Sequence, residues 1–134
     1  MENCKAMPTP MASGAAEFMV PFNDEATKQD VTLYQSMVGS LMYLAVHTWA
    51  DIAYTVSVLS RFLTNPSLQH IKAAQRVFCY LQGTTYLAVV LGGDIDNKNI
   101  KLNSYSDSVF AGCLHTQRST LGCLFFFAGG VISC

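Results

Sequence analysis

The hydrophobic period of this chain changes once, near Gly83, and that change limits what the chain can fold into. Before the glycine, apolar residues recur at intervals of three and four, which is one face of an α-helix; after it they alternate or run continuously, as strands do. Leu33, Met37, Leu41, Leu44 and Ala45 share a face, and Thr32 with Gln35 has capping-box spacing, so a first helix is predicted over 33–46. Asp51 is placed to cap a second helix, in which Ile52, Val56, Leu59 and Leu63 form the apolar stripe. Asn65-Pro66-Ser67 ends that helix and opens a third, marked by Ile71, Ala74, Phe78 and Leu81, with Gly83 read as a left-handed cap.

Residues 84–91 are rich in β-branched and apolar side chains, and Gly92-Gly93-Asp94 signals a turn. A second strand is predicted over 100–106, where Ile100, Leu102, Ser104 and Ser106 face one way and Lys101, Asn103 and Tyr105 the other, an alternation that is only partial. Residues 121–128 are almost wholly apolar, which suits a centre strand covered on both faces. Gly129-Gly130 then turns the chain into a fourth strand-like segment, inside which it stops, so the C-terminus reads as truncated. At the other end, residues 1–30 mix Pro, Ser, Gly and small residues without a period and read as an extended arm lying against something else. The expected architecture is α+β: the arm over 1–30, three helices over 31–83, and an incomplete antiparallel sheet over 84–134.

A chain of 134 residues holds one ordinary domain or two very small ones, not a multidomain enzyme. Hydrophobic residues make up 51% and charged residues 13%, about half the usual share, which excludes disorder for most of the chain and suggests apolar faces that expect a partner or more chain. The net charge of −1 argues against a strongly basic nucleic-acid binder, so any phosphate contact should be weak. The first residues hold no apolar run fit for a secretory signal, which points to an intracellular protein. The longest apolar stretch, 121–134, carries three glycines and is too short to span a membrane. Cys4, Cys79, Cys113, Cys123 and Cys134 are odd in number and lack a C-x-x-C pair, which fits reduced thiols better than a disulfide framework.

Five segments together resemble copia-type retrotransposon Pol polyproteins at the join between reverse transcriptase and ribonuclease H. They are MENCKAMPTPM (1–11), LYQSMVGSLMYLA (33–45), DIAYTVSVLSRFLTNPSLQHIKAAQRVFCYLQGT (51–84), YSDSVFAG (105–112) and RSTLGCLFFFAGGVIS (118–133). The resemblance implies that the helices belong to the thumb and connection that grip a template-primer, and that the later strands open a ribonuclease H fold. The polymerase's paired metal-binding aspartates have no counterpart here, so no polymerisation is expected. Asp107, in Tyr105-Ser106-Asp107, matches the first carboxylate of the ribonuclease H set, whose two metal ions activate water and stabilise the leaving oxygen. In the parent family the metal is Mg²⁺; for this chain no cofactor is expected, because one carboxylate cannot hold two ions. The sequence also departs from the family pattern. Val109-Phe110 stands where Asp-Trp is usual, Cys113 replaces an acidic or polar residue, and Thr48-Trp49-Ala50-Asp51 replaces Thr-Arg-Pro-Asp, losing a positive charge.

On residue type alone, Asp107 reads first as a solvated or capping aspartate. Arg61, Lys72 and Arg76, with His70 nearby, are the candidates for contact with a nucleic-acid backbone, beside the plainer reading of a solvated helix face. Asp94-x-Asp96 lacks the glycine and glutamate of a calcium loop, and Cys113-x-His115 with Cys123 and Cys134 fits no zinc spacing, so no metal site is expected. Arg118-Ser119-Thr120 reads as part of a hairpin, and Phe125-Phe126-Phe127 as core and not a base-stacking platform. The expected function is that of a retrotransposon-derived piece without catalysis of its own, in weak contact with DNA or RNA–DNA hybrid. The alternative is a protein-interaction fragment that pairs through an open sheet edge. A third reading has Asp107 completing an active site in trans.

Overall fold

A computed structural model describes residues 4–87, 101–110, 117–127 and 130–133. It divides into two compact units, 1–87 and 88–134. The first is helical: α1 (Ala15–Phe18), α2 (Lys28–His47), a 3₁₀ turn (Ala50–Ile52), α3 (Ala53–Ser60) and α4 (Leu68–Gly83). The second is an antiparallel sheet of β1 (Leu102–Val109), β2 (Thr120–Phe127) and β3 (Gly130–Ser133), in the order β1-β2-β3. The class is therefore α+β, as expected.

The longest helix starts five residues before the predicted 33, because Thr27 and not Thr32 caps it. The Thr27 hydroxyl oxygen accepts from the Asp30 N–H at 3.2 Å and its proton goes to the Asp30 carboxylate at 2.7 Å, while the Thr32 hydroxyl bonds back to the Lys28 carbonyl. Its buried face also differs from the predicted stripe: Tyr34, Val38, Leu41 and Ala45 are buried, whereas Leu33 is 51% exposed. Tyr34 takes the core position because its hydroxyl donates to the Leu59 carbonyl at 2.8 Å, so an apolar ring can be buried without stranding its polar end. At the α3–α4 junction, Gln35 of α2 donates to the Leu63 carbonyl at 3.1 Å.

Asp51 does not cap α3. It lies within the 3₁₀ turn and accepts a hydrogen bond from the Tyr80 hydroxyl of α4; α3 begins after Ile52 with no side-chain cap. Ile52, Val56 and Leu59 are buried as the stripe predicts, with Val58 added, and α4 contributes Ile71, Ala74, Val77, Tyr80 and Leu81. Gly83 is not a left-handed cap either: it is the last helical residue, and Gly14 is the one glycine among the described residues with positive φ. What Gly83 supplies is closeness, since a Cβ there would stand 2.8 Å from the Ala6 Cβ.

That contact shows what residues 4–27 lie against. The segment runs over its own helical unit, with Met7, Met11 and Ala16 packed on the core and Met19 buried. Its single helical turn, α1, interrupts the predicted extended arm. Asn65 secures the far end of the segment. Its amide donates to the carbonyls of Phe22 (3.1 Å) and Asp24 (2.9 Å), and its oxygen accepts from the Ala26 N–H at 2.9 Å.

In the sheet, β2 holds the centre, yet it is not covered on both faces: Leu121 is 73% exposed and Phe127 45%, with Phe125 and Phe126 half-buried. Every residue of β1 is exposed. The β2–β3 pairing slips between Phe125 and Phe126. Residues 84–86 form a turn and not the start of a strand, and the rest of the predicted first strand, with the turn at 92–94, lies outside the described residues. Among the described residues, no helix is long and apolar enough to cross a membrane.

Candidate functional site

The first candidate surface is on α4. Its sixteen residues include Lys72 and Arg76 and no carboxylate, so it is a locally cationic element in a unit that is otherwise net acidic. Lys72 and Arg76 are one turn apart on one side of the helix. The exposed Lys72 head is available to a phosphate. Arg76 is half-buried and already engaged: its Nη2 donates to the Thr9 hydroxyl at 3.2 Å, and its Nε is buried without a partner. Arg61 is exposed at the C-cap of α3, in the turn that leads to α4.

His70 does not join this surface. Its ring is buried, 1% exposed, stacked on Phe62 at 4.0 Å and 11°, and it serves the start of α4. The Ser67 N–H donates to His70 Nδ1 at 2.9 Å, and the His70 N–H donates to Ser67 Oγ at 3.4 Å, which closes a reciprocal capping box. Nδ1 is thus an acceptor, and the other ring nitrogen carries the proton that bonds to the Val20 backbone. Burial pushes the imidazole below its ordinary pKa, partly opposed by the Val20 bond. The Ser67-x-x-His70 spacing is the signal that could have revealed this role, with histidine standing where Glu or Gln is usual.

Asp107 lies within β1, opposite Gly122 of β2 in the register, and is exposed. The facing glycine has no side chain to help bind an ion, and from 97 onward Asp107 is the sole acidic residue in the sequence. A lone solvated carboxylate does not make a Mg²⁺ site, so the residues present do not fit the two-metal group of the parent family. Among the described residues, no three His, Cys, Asp or Glu side chains are grouped to hold a metal. Asp94, Asp96, Cys113, His115 and Cys134 lie outside them.

On the same face of the sheet, Tyr105 and Phe126 meet edge to face with centroids 5.8 Å apart. With Lys101 and Asn103 they line a shallow, open cleft of about 400 Å³. The phenylalanine run is therefore only partly the core that its composition suggests.

Comparison with known proteins identifies the lineage. The retrovirus-related Pol polyprotein from transposon TNT 1-94 of Nicotiana tabacum is 39% identical over 99% of this chain and 10% of its own length. The Pol polyprotein from transposon RE1 of Arabidopsis thaliana is 36% identical over 78% of this chain and 7% of its own length. Secreted RxLR effector protein 161 of Plasmopara viticola is 44% identical over 75% of this chain and 68% of its own length. The chain belongs to the family of copia-type, retrovirus-related Pol polyproteins from transposons. It spans a tenth or less of those two polyproteins. No family model matches the chain, and no solved structure matches it significantly.

Proposed function

We propose that the chain is a retrotransposon-derived piece of Pol in which the helical unit corresponds to the thumb and connection of reverse transcriptase and the sheet to the opening of ribonuclease H. On this reading it has no catalysis of its own. Its remaining biochemical capacity is weak contact with the sugar–phosphate backbone of DNA or RNA–DNA hybrid through Lys72 and Arg61, and through Arg76 once Thr9 gives way. The observation that carries the reading is an identity of 39% over 99% of the chain to a Pol polyprotein, and the acid-free α4 supports the choice of surface. Hydrolysis of a hybrid's RNA strand needs several carboxylates around two ions, and the sheet segment offers Asp107.

The test is incubation of labelled RNA–DNA hybrid with the full chain and Mg²⁺, with the Asp107→Asn variant alongside. The expected result is no cleavage by either. Cleavage that disappears in Asp107→Asn would mean that Asp107 completes an active site in trans. A second reading, pairing with another protein through a sheet edge, draws on the exposure of β1 along its whole length. It requires a complex that withstands salt.

A further inference from the structure

Two cysteines 75 positions apart in sequence meet where the N-terminal segment runs along α4. The Cys4 thiol donates to Gln82 Oε1 at 2.8 Å, and Gln82 lies three residues, about one helical turn, from Cys79 on α4, which sets the Cys79 thiol beside Cys4. Both are half-buried free thiols. The meeting is held in place by its neighbours. Ala6 packs against Gly83, where even a methyl group would collide, and Thr9 accepts the hydrogen bond from Arg76. Positions 76, 82 and 83 of α4 are thus each engaged by the segment, which keeps Cys4 beside Cys79.

We propose that Cys4 and Cys79 are a modification site, a dithiol that a low-molecular-weight disulfide such as oxidised glutathione converts to an intramolecular disulfide. In the first step the Cys4 thiolate attacks one glutathione sulfur, forms a mixed disulfide and releases one glutathione thiolate. In the second, Cys79 loses its proton and attacks the Cys4 sulfur, the mixed disulfide breaks, and the second glutathione thiolate leaves. The protein loses two electrons and two protons, and one glutathione disulfide becomes two glutathione thiols. The contact with Cys4, followed by burial, pushes the Cys79 thiol up from its ordinary pKa, which suits Cys79 to the second, intramolecular step, where proximity offsets a small thiolate fraction. The product fastens residues 4–11 over α4 and closes a loop of about 75 residues, a strong restriction on the unfolded chain. This holds whatever the helical unit binds.

The reduced full chain is incubated under native conditions with oxidised glutathione, alkylated, and mapped by mass spectrometry beside Cys4→Ser and Cys79→Ser. The expected product has lost two hydrogens, yields one peptide joining Cys4 to Cys79, and melts about 10 °C higher, reverting with dithiothreitol. Neither variant yields that product. Stable glutathione adducts without the joined peptide would overturn the proposal, as would cross-links from either residue to Cys113, Cys123 or Cys134, or unreacted thiols. The wild-type map decides the matter even if a serine variant folds poorly.

Discussion

Ser67 and His70 hold the start of α4 together by exchanging hydrogen bonds, the Ser67 N–H to His70 Nδ1 at 2.9 Å and the His70 N–H to Ser67 Oγ at 3.4 Å. The arrangement works only while Nδ1 is unprotonated. Burial lowers the folded pKa of His70, whereas in the unfolded chain it titrates near its ordinary 6.5. Below that value the unfolded state binds the extra proton first. The stabilisation is therefore complete above about pH 6.5 and is lost as pH falls through the unfolded value toward the folded one, at no more than about 1.4 kcal/mol per pH unit. Urea denaturation at about pH 7.5 and pH 5.5 should show the lower stability at the acid end. In His70→Gln, which keeps capping chemistry without titrating, the difference should shrink; a difference that survives intact contradicts the role given to His70.

Two helical glycines should respond to alanine with opposite signs. Gly39, in the middle of α2, has nothing within 4 Å of an added Cβ, so Gly39→Ala should stabilise by about 0.5–1 kcal/mol through helix propensity alone. Gly83→Ala gains the same propensity but places a methyl 2.8 Å from the Ala6 Cβ and 3.5 Å from its Cα, where no flexible side-chain end can yield. A net loss of about 1–2 kcal/mol is expected, because overpacking outweighs propensity. Thermal melts of the two variants decide it, and stabilisation of both would mean that residues 4–11 do not rest on α4.

Asn65 joins residues 22–26 to the α3–α4 turn through three hydrogen bonds. Asn65→Ala should cost about 2 kcal/mol and speed proteolytic cutting within residues 20–27. Asn65→Asp keeps the acceptor for the Ala26 N–H and loses both amide donations, so it should fall between the two. Equal cutting rates in all three proteins would show that the clamp is not what orders this segment.

The three longer helices are legible from period alone, because each buries a stripe of apolar residues at helical spacing. The details that escape the period are those decided by single polar atoms. Tyr34 displaces Leu33 from the buried face because the Leu59 carbonyl is within reach of its hydroxyl. Asp51 looks like a cap from its place in sequence but is taken by Tyr80, a residue 29 positions later. His70 reads as surface charge until its capping partner and the Phe62 ring are seen. The central place of β2 follows from its lack of polar residues, whereas its exposure does not, since apolar composition states a tendency to be covered and not what covers it. Of the candidate site, Lys72 and Arg61 are exposed as the helix pattern suggests. The engagement of Arg76 by Thr9, like the meeting of Cys4 with Cys79, depends on where a segment without period settles.

The most direct test of the central claim is the salt dependence of binding between the full chain and a labelled RNA–DNA hybrid, measured by fluorescence anisotropy. With two or three phosphates neutralised by Arg61, Lys72 and Arg76, the logarithm of the affinity should fall against the logarithm of salt with a slope of about −1.8 to −2.7. That is roughly 10- to 40-fold between 50 and 200 mM, from a dissociation constant in the range of about 10⁻⁶ to 10⁻⁴ M. The Arg61→Ala, Lys72→Ala, Arg76→Ala triple variant should lose the salt-sensitive binding. A slope near zero, or binding unchanged in the triple variant, would contradict the nucleic-acid assignment of this surface and favour a protein partner.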